Sequence, residues 1–508
     1  MAELVLDGTG LSTERVAKIA REGGSVAIAD AVWQHLDAAR AVVEAHLEAD
    51  VPVYGLNTGL GGNLGHRLAP DEVEAFQAQI VRGRAVAMGL PLPAPVVRAA
   101  LLVRANGIAA GVSGLSPPVL AALVELINRG VTPVVPSRGS IGVADLAPMA
   151  HVGLVLLGLG AAEHGGQTMP GLAALRAAGL TPLRLAAKDG LGLISSNAPT
   201  IGHAALVLCD ARRLITSGAA IAALACEGYG ANLSAFDART AALRPAPGQE
   251  EAAALLRAML AGSSLAAPDA ARSVQDALSF RCLPQVLGAG LDAISRAVAM
   301  TEVEINAASD SPAVLADAGA MLSNGNFHLG TLALAFETLA LALAQVAEAS
   351  LARSIKLMSA PHSGLPRYLS PQGGASAGLV PMQKTAAALL AEIRLKAQPA
   401  LLDSRAVSDF SEDLAPHAPL AVRKLDEQLP LMARLFAIEA LGAAQAVDLR
   451  KASRLGAGSA IVHGFVRETS PWLDDDREMG QEAERLAIRL LAGELAGRLG
   501  AFRLLPPG

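Results

Sequence analysis

The chain has 508 residues, of which 52% are hydrophobic and 17% charged, and its formal net charge is −6. This length predicts a large core and more than one domain, and the apolar excess indicates a helical interior with further surface hidden in an oligomer. An acidic balance without a basic run argues against nucleic acid as a partner.

The cysteines and the chain start give two further expectations. Cys209, Cys226 and Cys282 are far apart, so they show no metal-ligand spacing, and an odd number argues against a disulfide framework. We expect small buried hydrophobes and no metal site. The first residues lack a basic region, and no clean apolar span of about 18 residues with charged flanks stands out. We therefore expect a cytoplasmic protein without a membrane partner.

In chain order, the first feature is a short helix that Ser12 is expected to cap. A glycine-rich stretch, 53–62, follows, and its glycines exclude a regular helix and predict a mobile loop. It contains Tyr54, one of three tyrosines in the chain. Further on, Arg84 is either a substrate contact or a solvated helix arginine.

The stretch 139–151 reads Gly-Ser-Ile-Gly-Val-Ala-Asp-Leu-Ala-Pro-Met-Ala-His. A glycine- and serine-rich turn followed by an aspartate and an apolar run predicts a loop that leads into a buried helix. Asp145 is the expected N-cap of that helix.

These stretches resemble motifs of the histidine/aromatic amino acid ammonia-lyase family. The loop with Tyr54 is similar to the family's Tyr-Gly-Val-Asn-Thr-Gly-Phe-Gly, and 188–197 and 275–285 match in order. The stretch 139–151 matches the family's Gly-Ser-Val-Gly-Ala-Ser-Gly-Asp-Leu-Ala-Pro-Leu-Ala-His on both flanks. Val143 and Ala144 stand where the family has Ala-Ser-Gly, so the motif before Asp145 is degenerate.

In the family, Ala-Ser-Gly cyclises and dehydrates to methylidene-imidazolone, an electrophile that captures the substrate amine. Val143 and Ala144 have no hydroxyl to lose, so the sequence predicts that this prosthetic group is absent and that no cofactor is needed. Two other departures agree with this expectation. Ser195 stands where the family has an Asn that binds the electrophile, and Leu278 replaces a family Tyr.

Long Ala- and Leu-rich segments follow, and they predict a bundle of long helices. The segments lie at about 203–230, 249–262, 284–306, 329–358 and 382–398. The resemblance implies a mainly α, aromatic ammonia-lyase-like fold with a long central helical bundle. We expect a loop-rich catalytic region at 1–200 and a long-helix region at 201–508.

The resemblance also implies the site residues. Tyr54 is expected to be the general base, which requires partial ionisation next to positive charge. Arg281 would hold the substrate carboxylate, because its planar fork binds a carboxylate bidentately. Lys384 and Glu412 would contact the substrate ring, and Lys384 is costly on an apolar helix face unless it is functional. The remaining expected substrate contacts are Arg84, Asn57, Ser195, Phe327, Phe410 and Gln383.

A quaternary ammonium needs no electrophile, because it leaves as a neutral tertiary amine. One branch of the family, the ergothionases, eliminates trimethylamine from ergothioneine to give thiolurocanate, and the sequence looks like that branch. The expected substrate is therefore an amino acid betaine, and the resemblance implies a homotetramer with shared active sites. Three alternatives stay open: a lyase of another betaine such as hercynine, an ammonia-lyase or aminomutase without the prosthetic group, and a non-catalytic ligand-binding member.

Overall fold

The structure is a computed structural model that describes residues 3–63, 65–402 and 405–502. It is mainly helical, with 61% of residues in helices and 7% in strands, so the predicted fold class is confirmed. The chain forms two compact units, each made of separate segments. The first unit comprises 1–209, 298–334 and 399–422, and the second comprises 210–297, 335–398 and 423–508. This grouping does not follow the expected boundary at residue 200, which stays a prediction.

The strands are short and lie in the first unit. In chain order they are β1 (Leu4–Leu6), β2 (Val26–Ile28), β3 (Met88–Pro91), β4 (Thr132–Pro133), β5 (Pro136–Arg138), β6 (Ala161–His164), β7 (Gln167–Pro170), β8 (Ala313–Leu315) and β9 (Ala320–Leu322). β1 pairs in parallel with β2, with Leu4 opposite Val26, whereas β3–β5, β4–β6–β7 and β8–β9 are antiparallel.

The helices before the first long one are of moderate length. They are α1 (Thr13–Glu22), α2 (Asp30–Glu48), α3 (Val73–Arg84), α4 (Ala94–Ala109), α5 (Pro117–Asn128), α6 (Leu146–Leu156), α7 (Gly171–Ala177) and α8 (Asp189–Ile194). Ser12 caps α1 as predicted, because its side chain accepts a hydrogen bond from the Arg15 N–H at 3.3 Å.

The later helices include the long ones. They are α9 (Ala198–Tyr229), α10 (Ala238–Ala242), α11 (Pro247–Met259), α12 (Leu278–Arg281), α13 (Leu283–Ile305), α14 (Gly330–Leu357), α15 (Ala360–Ser363), α16 (Val380–Lys396), α17 (Ala418–Arg450), α18 (Ala457–Arg467), α19 (Met479–Leu491) and α20 (Glu494–Arg498). Single 3₁₀ turns lie at Gly61–Asn63, Leu233–Phe236, Ser264–Ala266, Ala316–Ala318, Arg367–Leu369, Gly373–Ala375 and Gly500–Phe502. All five predicted long segments are helical.

In the first unit, α3, α6 and α8 pack against one another and place the candidate site. Gln77 of α3 is fully buried, and its amide oxygen accepts the Gly190 N–H at 2.9 Å while its amide nitrogen donates to the Gly55 carbonyl at 3.4 Å. A Cβ at position 190 would lie 2.3 Å from the Gln77 carbonyl oxygen, so only glycine allows this approach. One side chain thus joins α8 to the loop that carries Tyr54.

In the second unit, long helices bury charged residues as well as apolar ones. Gly218 of α9 lies against Phe436 of α17, where an added Cβ would be 2.7 Å from the ring. Arg353 of α14 is 1% exposed and forms an ion pair with Glu439 of α17, which is fully buried. An unpaired buried charge is strongly unfavourable, so each of these two residues requires the other.

The expectation that no segment is apolar enough to cross a membrane is wrong by length and composition. Among the residues that the structure describes, three helical segments qualify, namely Asp189–Tyr229, Gly330–Leu357 and Ala418–Arg450. In their most apolar windows 89%, 56% and 83% of the residues are buried inside the protein. Helices that are apolar on more than one face are typical of the core of a large helical protein as well as of a membrane span, which is why composition alone misjudged them.

Candidate functional site

The candidate site in the first unit begins with the loop that carries Tyr54. The phenol oxygen of Tyr54 accepts the Gly61 backbone N–H at 3.1 Å, and the side chain is 37% exposed. This hydrogen bond ties the phenol oxygen to the backbone of its own loop. The base role of Tyr54 stays a prediction.

Asn57 holds the same loop from inside. It is 2% exposed; its Oδ1 accepts the Val53 N–H at 2.9 Å, and its Nδ2 donates to the Val51 carbonyl at 2.9 Å. Both ends of the amide are therefore engaged by the loop itself. Its expected contact with substrate stays a prediction, but the role visible in the protein is to shape the backbone around Tyr54.

Arg84 and Glu412 line one cavity of about 190 Å³, together with the turn that contains Ser140, Val143 and Ala144. Arg84 ends α3 and is partly buried. Burial lowers the pKa of its guanidinium, and the opposite charges of Tyr54 and Glu412 partly offset that effect. The structure thus brings together three residues that the sequence predicted separately: a phenol, a guanidinium and a carboxylate.

The turn at 139–145 is held by Asp145, which is fully buried. Its Oδ1 accepts from the Ser140 hydroxyl at 2.5 Å, and its Oδ2 accepts the Thr200 N–H at 2.9 Å. Burial raises the pKa of this carboxyl group, against the effect of those hydrogen bonds. Asp145 occupies the N-cap position of α6 but makes no side-chain cap bond to it. The predicted cap bond is wrong, because the carboxylate instead accepts a hydrogen bond at the start of α9.

Val143 and Ala144 form the wall of the cavity. Val143 makes an isolated antiparallel bridge with His328. Ala144 is 8% exposed and has a φ of 63°, a left-handed conformation that is uncommon for a residue with a Cβ. Such backbone strain persists only where the surrounding contacts fix it, and here the Asp145 hydrogen bonds supply them.

Other predicted residues lie around this turn. Ser195 is partly buried at the C-terminus of α8. The Phe327 carbonyl accepts from the Asn197 amide at 2.6 Å. Phe410 is 80% exposed and has a φ of 63°, so it does not line a closed pocket in the single chain. Ser140, Asn197 and Thr200 were not singled out from the sequence. Ser140 and Asn197 lie within stretches that match the family, whereas nothing local marks Thr200.

Three predicted residues belong to the second unit. Arg281 is exposed at the end of α12, and the Gln275 amide oxygen, turned towards it, accepts from both of its terminal nitrogens at 3.0 and 3.2 Å. Gln383 is partly buried and Lys384 is exposed on α16. The argument that Lys384 enters an apolar helix face is wrong for the single chain, because its side chain is in solvent.

Within the described ranges, no group of three or more His, Cys, Asp or Glu side chains has the arrangement of a metal site. Cys226 is fully buried and burial raises the pKa of its thiol, whereas Cys209 and Cys282 are partly buried, and none of these three cysteines is in a disulfide.

Comparison with known proteins identifies the family of this chain. The family model for aromatic amino acid lyases matches residues 11–468. The chain belongs to the aromatic amino acid lyase family. A histidine ammonia-lyase from Gloeobacter violaceus is 41% identical over 97% of this chain and 96% of its own length, and one from Caldanaerobacter subterraneus is 37% identical over 94% of each.

Solved structures of the aromatic amino acid lyase family superpose over nearly the whole chain. An ergothionase from Treponema denticola, in complex with desmethyl-ergothioneine sulfonic acid, has a TM-score of 0.95 and 31% identity over 97% of this chain and 99% of its own. A histidine ammonia-lyase from Trypanosoma cruzi has a TM-score of 0.90 and 29% identity over 99% and 96%. This chain is therefore a lyase of that family.

The relatives correct one expectation, that of a protein without a prosthetic group. Histidine ammonia-lyases, which are similar to this chain along nearly its whole length, use methylidene-imidazolone, so we withdraw the predicted absence. The local residues nevertheless do not match the family's precursor, since no serine lies between Ile141 and Asp145. The residues present therefore do not fit the group as the family forms it.

Proposed function

We propose that this lyase eliminates trimethylamine from an aromatic amino acid betaine, with ergothioneine as the first candidate and thiolurocanate as its product. The observation that carries the proposal is the similarity to the ergothionase from Treponema denticola, at a TM-score of 0.95 over nearly the whole of both chains. The cavity supports the proposal, because Arg84 and Glu412 line it with a cation and an anion. A polar heteroaromatic ring carries hydrogen-bond acceptors and donors that can interact with both side chains.

The reaction needs one base and one leaving group. The Tyr54 phenolate takes the proton on the β carbon, and the electrons of that C–H bond form the Cα=Cβ double bond. The C–N bond breaks, and its electron pair leaves with nitrogen, so that a quaternary ammonium departs as neutral trimethylamine. The Gly61 N–H donates to the phenol oxygen at 3.1 Å and holds that oxygen in place.

The remaining residues recognise the two ends of the substrate. Arg281 binds the carboxylate with its planar fork. Lys384 and Glu412 contact the ring, where Lys384 stabilises negative charge delocalised from the β carbon. Aromatic faces attract a quaternary cation, and this is the role we assign to Phe327 and Phe410. Additional contacts come from Arg84, Asn57, Ser195 and Gln383.

We further propose a cytoplasmic homotetramer whose active sites combine residues from several subunits. Exposed apolar side chains on the long helices support burial against other copies, since large exposed apolar patches mark interaction surfaces. Examples are Leu334 and Leu341 of α14, which are 55% and 50% exposed, and Val303 of α13, which is 61% exposed.

Histidine ammonia-lyase activity is the second candidate. One observation favours it: relatives of that name are up to 41% identical to this chain over nearly its whole length. Against it, Gly83 and Arg84 stand where histidine-specific members of the family have Ser-His.

The test is proton NMR of the purified protein mixed in parallel with ergothioneine, hercynine and histidine. We expect a trimethylamine singlet and thiolurocanate from ergothioneine alone. Trimethylamine from hercynine instead would keep the mechanism and change the ring. Urocanate and ammonium from histidine would contradict the proposal and establish histidine ammonia-lyase activity, the second candidate. No product in any tube would contradict both and favour a non-catalytic ligand-binding role.

A further inference from the structure

The short helix α12, which carries Arg281, is not expected to be stable without contacts from the rest of the protein. It has four residues, Leu278–Arg281, and its N-cap residue, Ala277, provides no side-chain bond. A single turn fixes several backbone angles for very few hydrogen bonds, so it is unstable alone. The orientation of Arg281 therefore depends on contacts that the rest of the second unit makes with α12.

The first such contact comes from Arg353. Its Nη1 donates to the Ser279 carbonyl at 3.3 Å. The other edge of the guanidinium is occupied by Glu439, with Nε to Oε1 at 2.5 Å and Nη2 to Oε2 at 3.0 Å. The Ser350 hydroxyl donates to the same carboxylate at 2.5 Å. Glu439 thus fixes the plane of the guanidinium and leaves one donor directed at the backbone of α12.

Stability by itself does not explain why this ion pair is buried. Arg353 and Glu439 are 1% and 0% exposed, and apolar residues of similar volume often stabilise a protein as well as a buried pair does or better. A guanidinium offers what an apolar replacement lacks, which is a donor held in one direction. The bond to Ser279 uses that property.

The second contact is an aromatic stack. Tyr229, at the end of α9, lies over Phe280 with ring centroids 4.1 Å apart and an interplanar angle of 16°. Both rings are buried, at 3% and 1% exposure. Arg272 donates to the Tyr229 hydroxyl at 2.9 Å and its guanidinium lies 4.8 Å from the ring centroid. The residue directly before Arg281 is therefore immobilised.

We propose that Arg353 and Tyr229 are positioning residues that fix the direction in which Arg281 presents its guanidinium to a carboxylate. The inference rests on the proposed function, in which Arg281 binds the substrate carboxylate. Bidentate recognition requires a fixed plane and distance, and a shift of about 1 Å is enough to lose much of it. Arg353 fixes the backbone two residues before Arg281, and Tyr229 fixes the side chain one residue before it.

The experiment measures the dissociation constants of two probes by calorimetry: 3-(imidazol-4-yl)acrylate, and imidazole, which lacks the carboxylate. We expect Arg353→Lys and Tyr229→Leu each to weaken acrylate binding about tenfold, the size of one lost hydrogen bond to a charged group. Imidazole affinity should stay the same. Tyr229→Phe, which keeps the stack, should bind acrylate as the wild type does.

Arg467→Lys is the matched control in the same unit. Arg467 also pairs with a carboxylate, that of Asp448, at 2.6 Å, but it has no contact with α12 among those described. It should lower thermal stability and leave acrylate binding unchanged. If Arg353→Lys fails to fold, the comparison of Tyr229→Leu with Tyr229→Phe decides.

Two results would overturn the positioning role: wild-type acrylate binding in Arg353→Lys and Tyr229→Leu, or an equal loss of imidazole and acrylate binding. Arg281→Gln separates this failure from that of the proposed function. If Arg281→Gln itself binds acrylate normally, Arg281 is not the carboxylate clamp. If Arg281→Gln loses acrylate affinity and the variants of Arg353 and Tyr229 do not, Arg281 binds the carboxylate, but Arg353 and Tyr229 do not position it.

Discussion

The carboxylate of Asp145 accepts the backbone N–H of Thr200 at 2.9 Å. This single bond connects the turn at 139–145, which lines the candidate cavity, to the first helical turn of α9. The Ser140 hydroxyl completes the arrangement from within the turn. The conformation of this part of the cavity wall therefore depends on Asp145 and Thr200, which are not among the residues that line the cavity, as well as on Ser140, which is.

Tyr54→Phe should reduce kcat about 100-fold or more, because it removes the proposed general base. It should leave substrate affinity nearly unchanged, since the ring remains. Steady-state kinetics and a direct binding measurement check this. Tyr368→Phe, in the second unit, is the control and should retain full turnover. Normal kcat in Tyr54→Phe would eliminate the phenol as base.

Arg84→Met should raise KM about tenfold, because it removes the cation that lines the cavity with Glu412. Arg84→Lys should lie between this variant and the wild type, since the ammonium keeps the charge but not the planar fork. Arg82→Met is the matched control on the same helix, where the side chain is exposed. Equal KM values for Arg84→Met and Arg82→Met would show that Arg84 does not contact the substrate and is a solvated helix arginine, the alternative that the sequence also allowed.

Ala144→Val should destabilise the protein by roughly 1–3 kcal/mol, because a β-branched residue is strongly disfavoured at a φ of 63°. Ala144→Gly should be within about 1 kcal/mol of the wild type, since relief of the left-handed strain is offset by the lost methyl group and the greater freedom of the unfolded chain. Urea unfolding followed by circular dichroism measures both. A stable Ala144→Val variant would show that the turn adopts another conformation.

Lys188 should make stability rise with pH above neutrality. It is 2% exposed, its ammonium donates to the Ser113 carbonyl, and burial lowers its pKa from 10.5 to about 8. Between these two pKa values the unfolded chain binds more protons than the folded one, so the free energy of unfolding increases as pH rises from about 8 to 10.5. A shift of this size corresponds to roughly 3 kcal/mol.

Urea unfolding at several pH values between about 8 and 10.5 tests this effect, because the pH profiles of two lysine variants can be compared. Lys188→Met should remove the rise that this residue contributes, whereas Lys18→Met, on the exposed face of α1, should keep it. Parallel pH profiles of the two variants would rule out Lys188 as the source.

The long helices were predictable because their signal is local. The segments at about 203–230 and 329–358 are long and rich in Ala and Leu, and the structure has helices there at Ala198–Tyr229 and Gly330–Leu357. The cap at Ser12 was predictable for the same reason, since donor and acceptor are three residues apart. Family membership was also readable from the sequence, because its motifs are short and occur in order along the chain.

The partners of buried polar groups were not predictable in this way. Asp145 was expected to cap its own helix, but its carboxylate bonds Thr200, which is 55 residues away. Lys384 was expected on an apolar face, but its side chain is exposed in the single chain. The compact units combine segments that are far apart in the chain, and the boundary at residue 200 stays a prediction.

The sequence by itself determined the helical class, the family and the types of side chain available for chemistry, because these follow from local spacing and from short motifs. Only the tertiary structure decided that Arg84 and Glu412 share a cavity, that Gln77 joins α8 to the Tyr54 loop, and that Arg353 reaches the backbone beside Arg281. These relationships are set by the packing of elements far apart in the chain, and a buried donor or acceptor takes the partner that packing brings within reach.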